Sequence, residues 1–208
     1  MPNDEMQKGK YICFEGGDGS GKSTLAEAVC KALEGMNIDV ARARFPSDGL
    51  VGTLIRNGLR GKVSLETKPF LYLFAADGLQ QELWIEDQLR KGYHVICDRH
   101  PTLSGRVYQL KHHDGDEIEA VYNAAAFDGI SMPDHLFVVE VTAEEAIRRM
   151  KGRDKYVDVV FESDQIQELE AISDEYRTVC HRFGGTFLDG HKPIRELVDE
   201  VLEKTGLL

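Results

Sequence analysis

From Gly16 to Ser23 the chain reads Gly-Gly-Asp-Gly-Ser-Gly-Lys-Ser, which fits G-x-x-x-x-G-K-[ST], and Thr24 follows. The chemistry that this spacing serves is the wrapping of a polyphosphate. Backbone N–H groups must turn inward around the anion, and Gly16, Gly17, Gly19 and Gly21 permit the dihedrals and close approach that this needs. Asp18 and Ser20 fill the remaining loop positions. Lys22 can follow charge developing on a transferred phosphoryl group, and the Ser23 hydroxyl is placed to ligate Mg²⁺. A second group, Asp98-Arg99-His100, closes an apolar run. There Asp98 is suited to holding the Mg²⁺ shell, and the planar fork of Arg99 to gripping a phosphate.

The phosphate loop requires a strand before it and a helix after it. Tyr11 to Phe14 is apolar and β-prone, and Leu25 to Leu33 carries helical periodicity. Further strands are expected at 38–45, 93–97, 136–141 and 186–189. Helices are expected at 49–59, 66–90, around 116–128, and at 143–151, 163–183 and 193–204. Continuous apolar strands alternating with helices predict a parallel α/β sheet covered on both faces, with the active site at the strands' carboxyl ends. The 208 residues suit one domain spanning 1–208, with a disordered start over 1–9.

A net charge of −11 works against loose binding to nucleic acid or to anionic membrane. The basic residues gather instead at Arg42 to Arg56 and Arg148 to Lys155, as suits a small anionic substrate in a basic cleft. Cys13, Cys30, Cys97 and Cys180 are widely spaced and read as buried reduced thiols, not as a zinc site or disulfide framework. No apolar run approaches the roughly 20 residues that span a bilayer, and the start has no apolar signal core, so a cytoplasmic location is expected.

Seven stretches, in order and approximate spacing, resemble the thymidylate kinase family. They are Glu15 to Thr24, Arg44-Phe45-Pro46, Leu73 to Asp77, Asp98-Arg99-His100, Tyr108-Gln109, Pro133-Asp134, and an arginine-rich stretch ending near Phe161-Glu162. The resemblance implies a three-layer P-loop nucleoside-monophosphate kinase fold: a five-stranded parallel sheet, helices on both faces and a short lid at about 148–160. It implies Mg²⁺-dependent transfer of the ATP γ-phosphoryl to a deoxynucleoside monophosphate, dTMP giving dTDP, by a homodimer. By the same resemblance Asp18 lies near the acceptor sugar and phosphate, and Phe74 stacks on the acceptor base. Arg99, Arg44 and Arg56 line the acceptor phosphate, with Phe45, Tyr108 and Gln109 completing that side.

Three departures carry information. Some members have an arginine in the loop where this chain has Gly19, so the charge must come from the lid, from Arg148, Arg149 or Arg153. The arginine that reads the base after the Ala-Asp pair is here Gly78, and Gln80, Gln81, Gln109 or a residue of 101–106 must take over if the base is still read. One extra residue separates Asp98-Arg99-His100 from Tyr108-Gln109, which leaves Thr102 and Ser104 both eligible for the family's serine. The rival readings are a kinase for another or modified pyrimidine nucleotide, including a modified base in DNA, a nucleotide binder without turnover, and a GTP-dependent switch. The last lacks its N/T-K-x-D guanine reader.

Overall fold

The structure, a computed structural model, describes residues 8–109, 115–127, 131–152 and 163–208. Five strands form one sheet: β1 (Tyr11–Glu15), β2 (Val40–Arg44), β3 (His94–Asp98), β4 (His135–Glu140) and β5 (Thr186–Asp189). All neighbours are parallel, in the order β2-β3-β1-β4-β5. Strand alternation divides the core into two layers. Ile12 and Phe14 of β1 pack with α1 (Lys22–Gly35) and α8 (Ile194–Thr205) through Leu25, Val29, Leu33, Leu197 and Val201. Tyr11 and Cys13 face the opposite way, toward α3 (Thr67–Arg90), α4 (Pro101–Gln109) and α7 (Ser163–Arg182), where Ile85, Leu103, Val107 and Tyr176 close the second layer. Every residue of β1 is buried, which explains its unbroken apolar run.

The remaining helices are α2 (Leu50–Leu59), α5 (Gly115–Phe127) and α6 (Ala143–Lys151). Thr142 caps α6, its hydroxyl accepting from the Glu145 N–H at 3.3 Å, as Thr-x-x-Glu directs. All four cysteines are buried and free, in line with the reduced-thiol expectation. Among the described residues no helix is long and apolar enough to cross a membrane.

The structure departs from the sequence expectations in one element. Pro101–Gln109 is a helix where none was anticipated; Pro101 occupies its first position, where the missing N–H and fixed φ are no handicap. At the start of the described residues the Gly9 N–H donates to the Leu89 carbonyl at 3.0 Å and the Lys10 ammonium bonds the Thr205 carbonyl. Residues 153–160 of the expected lid, Arg153 among them, lie outside the described residues.

Candidate active site

The site is assembled at the carboxyl edge of β1 and β3. Their register pairs Phe14 with Asp98, so the phosphate loop after β1 and the Asp98-Arg99 pair after β3 leave the sheet side by side. Two glycines in the loop stand where no side chain fits. A Cβ on Gly16 (φ 137°) would lie 2.3 Å from the Val139 carbonyl oxygen, and one on Gly19 (φ 80°) 2.5 Å from that of Ala146. Gly19 is therefore pressed against the backbone of α6, and an arginine cannot occupy it without moving that helix.

Lys22 opens α1 and is 5% exposed. Its ammonium donates to the Gly17 carbonyl at 3.2 Å and lies 3.8 Å from Asp18. Burial first, then the Arg99 guanidinium, lowers its pKa to about 8 against the pull of Asp18, Asp98 and Glu15. The N–H groups of Lys22, Ser23 and Thr24 belong to the first helical turn, which has no acceptors of its own and turns its positive end toward an anion.

Arg99 holds φ 78°, a conformation that side-chain-bearing residues seldom adopt. Its Nη1 donates to the Tyr176 hydroxyl at 2.9 Å and to the Gly16 carbonyl at 3.3 Å, and its Nη2 meets Asp18 at 2.5 Å. Beneath it lies Glu15, fully buried, accepting from the His100 N–H at 2.7 Å and from the Ser104 hydroxyl at 2.9 and 2.8 Å. Burial raises the Glu15 carboxyl above its usual range, opposed chiefly by Arg99 and Ser104. Of the two hydroxyls left open in the sequence, Ser104 is the one that bonds Glu15 at the end of β1. Glu15 and Tyr176 were not singled out as site residues in the sequence. The available signal was a carboxylate at the end of a wholly apolar strand, which must find partners once buried.

Asp98 Oδ1 is buried and has no hydrogen-bond partner among the described residues. With the exposed Ser23 hydroxyl it supplies hard oxygen ligands that fit Mg²⁺, a cation that completes its shell with water and phosphate. No group of three or more His, Cys, Asp or Glu among the described residues forms a metal cage by itself.

The other expected residues are dispersed around this centre. Arg44 is exposed and bonds Asp48, with Nε at 2.8 Å. Arg56 donates to the carbonyls of Pro46 (2.8 Å) and Ser47, bracing the loop after β2 in place of standing open in a cleft. Asp77 holds the same loop from α3 by accepting from the Ser47 N–H at 2.7 Å. Phe74 is 7% exposed, packed with Phe45 at 5.6 Å and Phe70 at 5.0 Å between ring centroids. Tyr108 and Gln109 end α4; their side chains are outside the described set. Arg42 turns to Glu27 and Glu34 of α1 and does not belong to a basic cleft. In α6, Arg148 is exposed and pairs with Glu145. Arg149 instead reaches the loop, donating to the carbonyls of Ser20 (2.9 Å) and Gly190 (2.8 Å). It borders a cavity of about 300 Å³ that Ser20, Gly21, Thr24, Gly190 and Lys192 also line, on the α1 side of the phosphate loop.

A family model described as thymidylate kinase matches residues 14–201. The chain is 29% identical over 198 residues to a probable thymidylate kinase of Methanocaldococcus jannaschii, covering 95% of this chain and 96% of that one. It is 33% identical over 204 residues to a probable thymidylate kinase of Methanococcus maripaludis, with 93% of each covered. To a thymidylate kinase of Afipia carboxidovorans it is 31% identical over 180 residues, 83% of this chain and 77% of that one.

Proposed function

Because the chain belongs to the thymidylate kinase family, we propose that it transfers the γ-phosphoryl group of ATP to dTMP, giving ADP and dTDP. The observation that carries this reading is the pairing of Phe14 with Asp98, which brings a complete phosphate loop and a cation-bearing strand end to one edge. A phosphate oxygen of dTMP attacks the γ-phosphorus, the bond from that phosphorus to the oxygen bridging to the β-phosphate breaks, and ADP leaves with the electron pair.

In this reading the donor polyphosphate lies on residues 16–24, and its nucleoside extends toward the cavity beside Arg149, Gly190 and Lys192. Lys22 remains with the migrating charge, an electrostatic contribution made chiefly in the transition state. Arg99, held at the loop mouth by Tyr176 and the Gly16 carbonyl, receives the acceptor phosphate in competition with Asp18. Arg149 shapes the loop through the Ser20 carbonyl. Arg153 is assigned to the same charge by resemblance, and Arg44, Phe45, Arg56, Phe74, Tyr108 and Gln109 to the acceptor side. Ser23 and Asp98 would hold Mg²⁺, which when bound offsets phosphate charge and orients the γ-phosphoryl.

A homodimer and a cytoplasmic location belong to the same reading. The first is supported by exposed apolar residues on α3, Tyr72 and, about three turns further on, the adjacent Leu83 and Trp84. Sedimentation of wild type and Leu83→Glu tests it, with a dimer expected for the first and a monomer for the second. Activity is tested by coupled ADP release over a panel of nucleoside monophosphates. Turnover with dTMP and product analysis showing dTDP are expected, and ATP hydrolysis that is independent of any monophosphate would overturn the assignment.

A further inference from the structure

Each of the three arginines assigned to the acceptor phosphate is engaged by a carboxylate. Arg99 meets Asp18 of the phosphate loop at 2.5 Å. Arg44 and Arg56 converge instead on Asp48, in the loop after β2. Arg44 donates to Asp48 Oδ1 through Nε at 2.8 Å and also through Nη2, and Arg56 Nη2 lies 3.7 Å from the same oxygen. Two like charges therefore share one carboxylate oxygen.

This pair of cations stands at the phosphate edge. The register of β2 with β3 sets Arg44 beside Asp98, one strand spacing of about 4.8 Å away, and the Phe45 N–H donates to the Asp98 carbonyl at 2.9 Å. Arg99 follows Asp98 directly, so Arg44 and Arg99 leave the same end of the sheet. The backbone that carries Asp48 is pinned on both sides. The Ser47 N–H donates to buried Asp77 at 2.7 Å, the Gly49 N–H to the Ser47 hydroxyl at 3.1 Å, and Arg56 Nη1 to the Pro46 carbonyl at 2.8 Å. The Asp48 side chain, in contrast, is 72% exposed, and the two guanidinium groups are its only partners among the described residues. It can turn into water without disturbing the loop or the hold of Pro46 on Arg56.

Resting on the assignment of Arg44 and Arg56 to the acceptor phosphate, we propose that Asp48 is a place-holder for that phosphate and sets how tightly the monophosphate binds. In the empty site its carboxylate offsets the charge of both arginines. A phosphate monoester dianion displaces it, because the dianion carries the larger charge and accepts bidentate bonds from the same forks. Asp48 then turns to solvent, away from a group of its own sign. The observed affinity is the difference between two occupancies of the same arginines, and the carboxylate lowers it.

The test is isothermal titration calorimetry of dTMP into wild type, Asp48→Asn and Asp199→Asn at low ionic strength, about 0.05 M salt, where such charges are least screened. Asparagine keeps the shape of aspartate without its charge. Asp199 is exposed on α8, so its variant reports the effect of overall net charge alone. Asp48→Asn is expected to bind dTMP at least about twofold more tightly than wild type, the scale of an exposed ion pair, and Asp199→Asn is expected to match wild type. A smaller gain in Asp48→Asn, a weaker affinity, or an equal gain in Asp199→Asn overturns the place-holder. These outcomes leave the acceptor assignment standing, because wild type still binds dTMP; a wild type that binds no dTMP overturns that assignment and the place-holder with it.

Discussion

The Tyr176 hydroxyl lies 2.9 Å from Arg99 Nη1 and 3.2 Å from Ser104 Oγ, so a residue of α7 fixes the guanidinium at the mouth of the phosphate loop. Tyr176 is 1% exposed. Backbone strain at Arg99 (φ 78°), about 1–2 kcal/mol for a side-chain-bearing residue, is sustained because this polar network over-determines the conformation.

Removing that hydroxyl tests the network. A hydrogen bond to a charged group contributes about 1.5–3 kcal/mol, and part of it holds Arg99 in place for the acceptor phosphate. Tyr176→Phe is expected to lower kcat/KM for dTMP by about tenfold, roughly 1.4 kcal/mol, with a smaller effect on the KM for ATP. Unchanged kinetics on both substrates would show that Gly16 and Asp18 suffice to position Arg99.

Gly19 yields a stability prediction. Any side chain there combines a left-handed backbone with a Cβ 2.5 Å from the Ala146 carbonyl oxygen. Gly19→Ala is expected to destabilise the fold by about 2 kcal/mol or more, read as a lower urea midpoint at unchanged slope. A midpoint equal to wild type would mean that α6 yields easily, and that the position could have carried an arginine.

The phosphate loop, the strand before it and the Asp98-Arg99 pair were legible in the sequence because each depends on local residue order. The sheet and most helices were legible for the same reason, through continuous apolar strands and 3.6-residue periodicity. Helix α4 was not: Pro101, Thr102, Ser104 and Gly105 all weaken a helical reading, and only packing of Leu103 and Val107 against the sheet decides it. Ser104 was ambiguous with Thr102 until the helix showed which hydroxyl turns to Glu15. The bracing role of Arg56 and the loop contact of Arg149 escaped notice because their acceptors are backbone carbonyls, which sequence does not distinguish. Glycine at position 19 looked like a missing arginine, whereas the proximity of Ala146 makes it a steric requirement.

His100 gives the fold a pH dependence. Its Nδ1 accepts from the Thr102 N–H at 3.2 Å and its Nε2 pairs with the Ser131 carbonyl at 2.9 Å, an arrangement for the neutral ring. Burial lowers its pKa from 6.5 to about 4. Between these values the unfolded chain binds the extra proton, so stability from this group is present above pH 6.5 and is lost as pH falls toward 4. Between pH 7 and pH 5 wild type is expected to lose about 2 kcal/mol more than His100→Gln, measured by urea unfolding at each pH. Buried Glu15 and Glu82, with raised pKa values, act in the opposite sense in both proteins and cancel in the comparison. Equal losses in the two proteins would contradict a neutral buried ring.

The central claim is that the buried Lys22 ammonium carries the phosphoryl-transfer chemistry, and kcat for dTDP formation from ATP and dTMP by Lys22→Met tests it most directly. Methionine fills similar space without the charge, so the melting temperature should be equal to or above that of wild type. The expected result is a fall in kcat of about a hundredfold or more, on the scale of other lost electrostatic stabilisers, about 3 kcal/mol. A folded Lys22→Met protein that kept more than about a tenth of wild-type kcat, a loss under roughly 1.4 kcal/mol, would contradict the account.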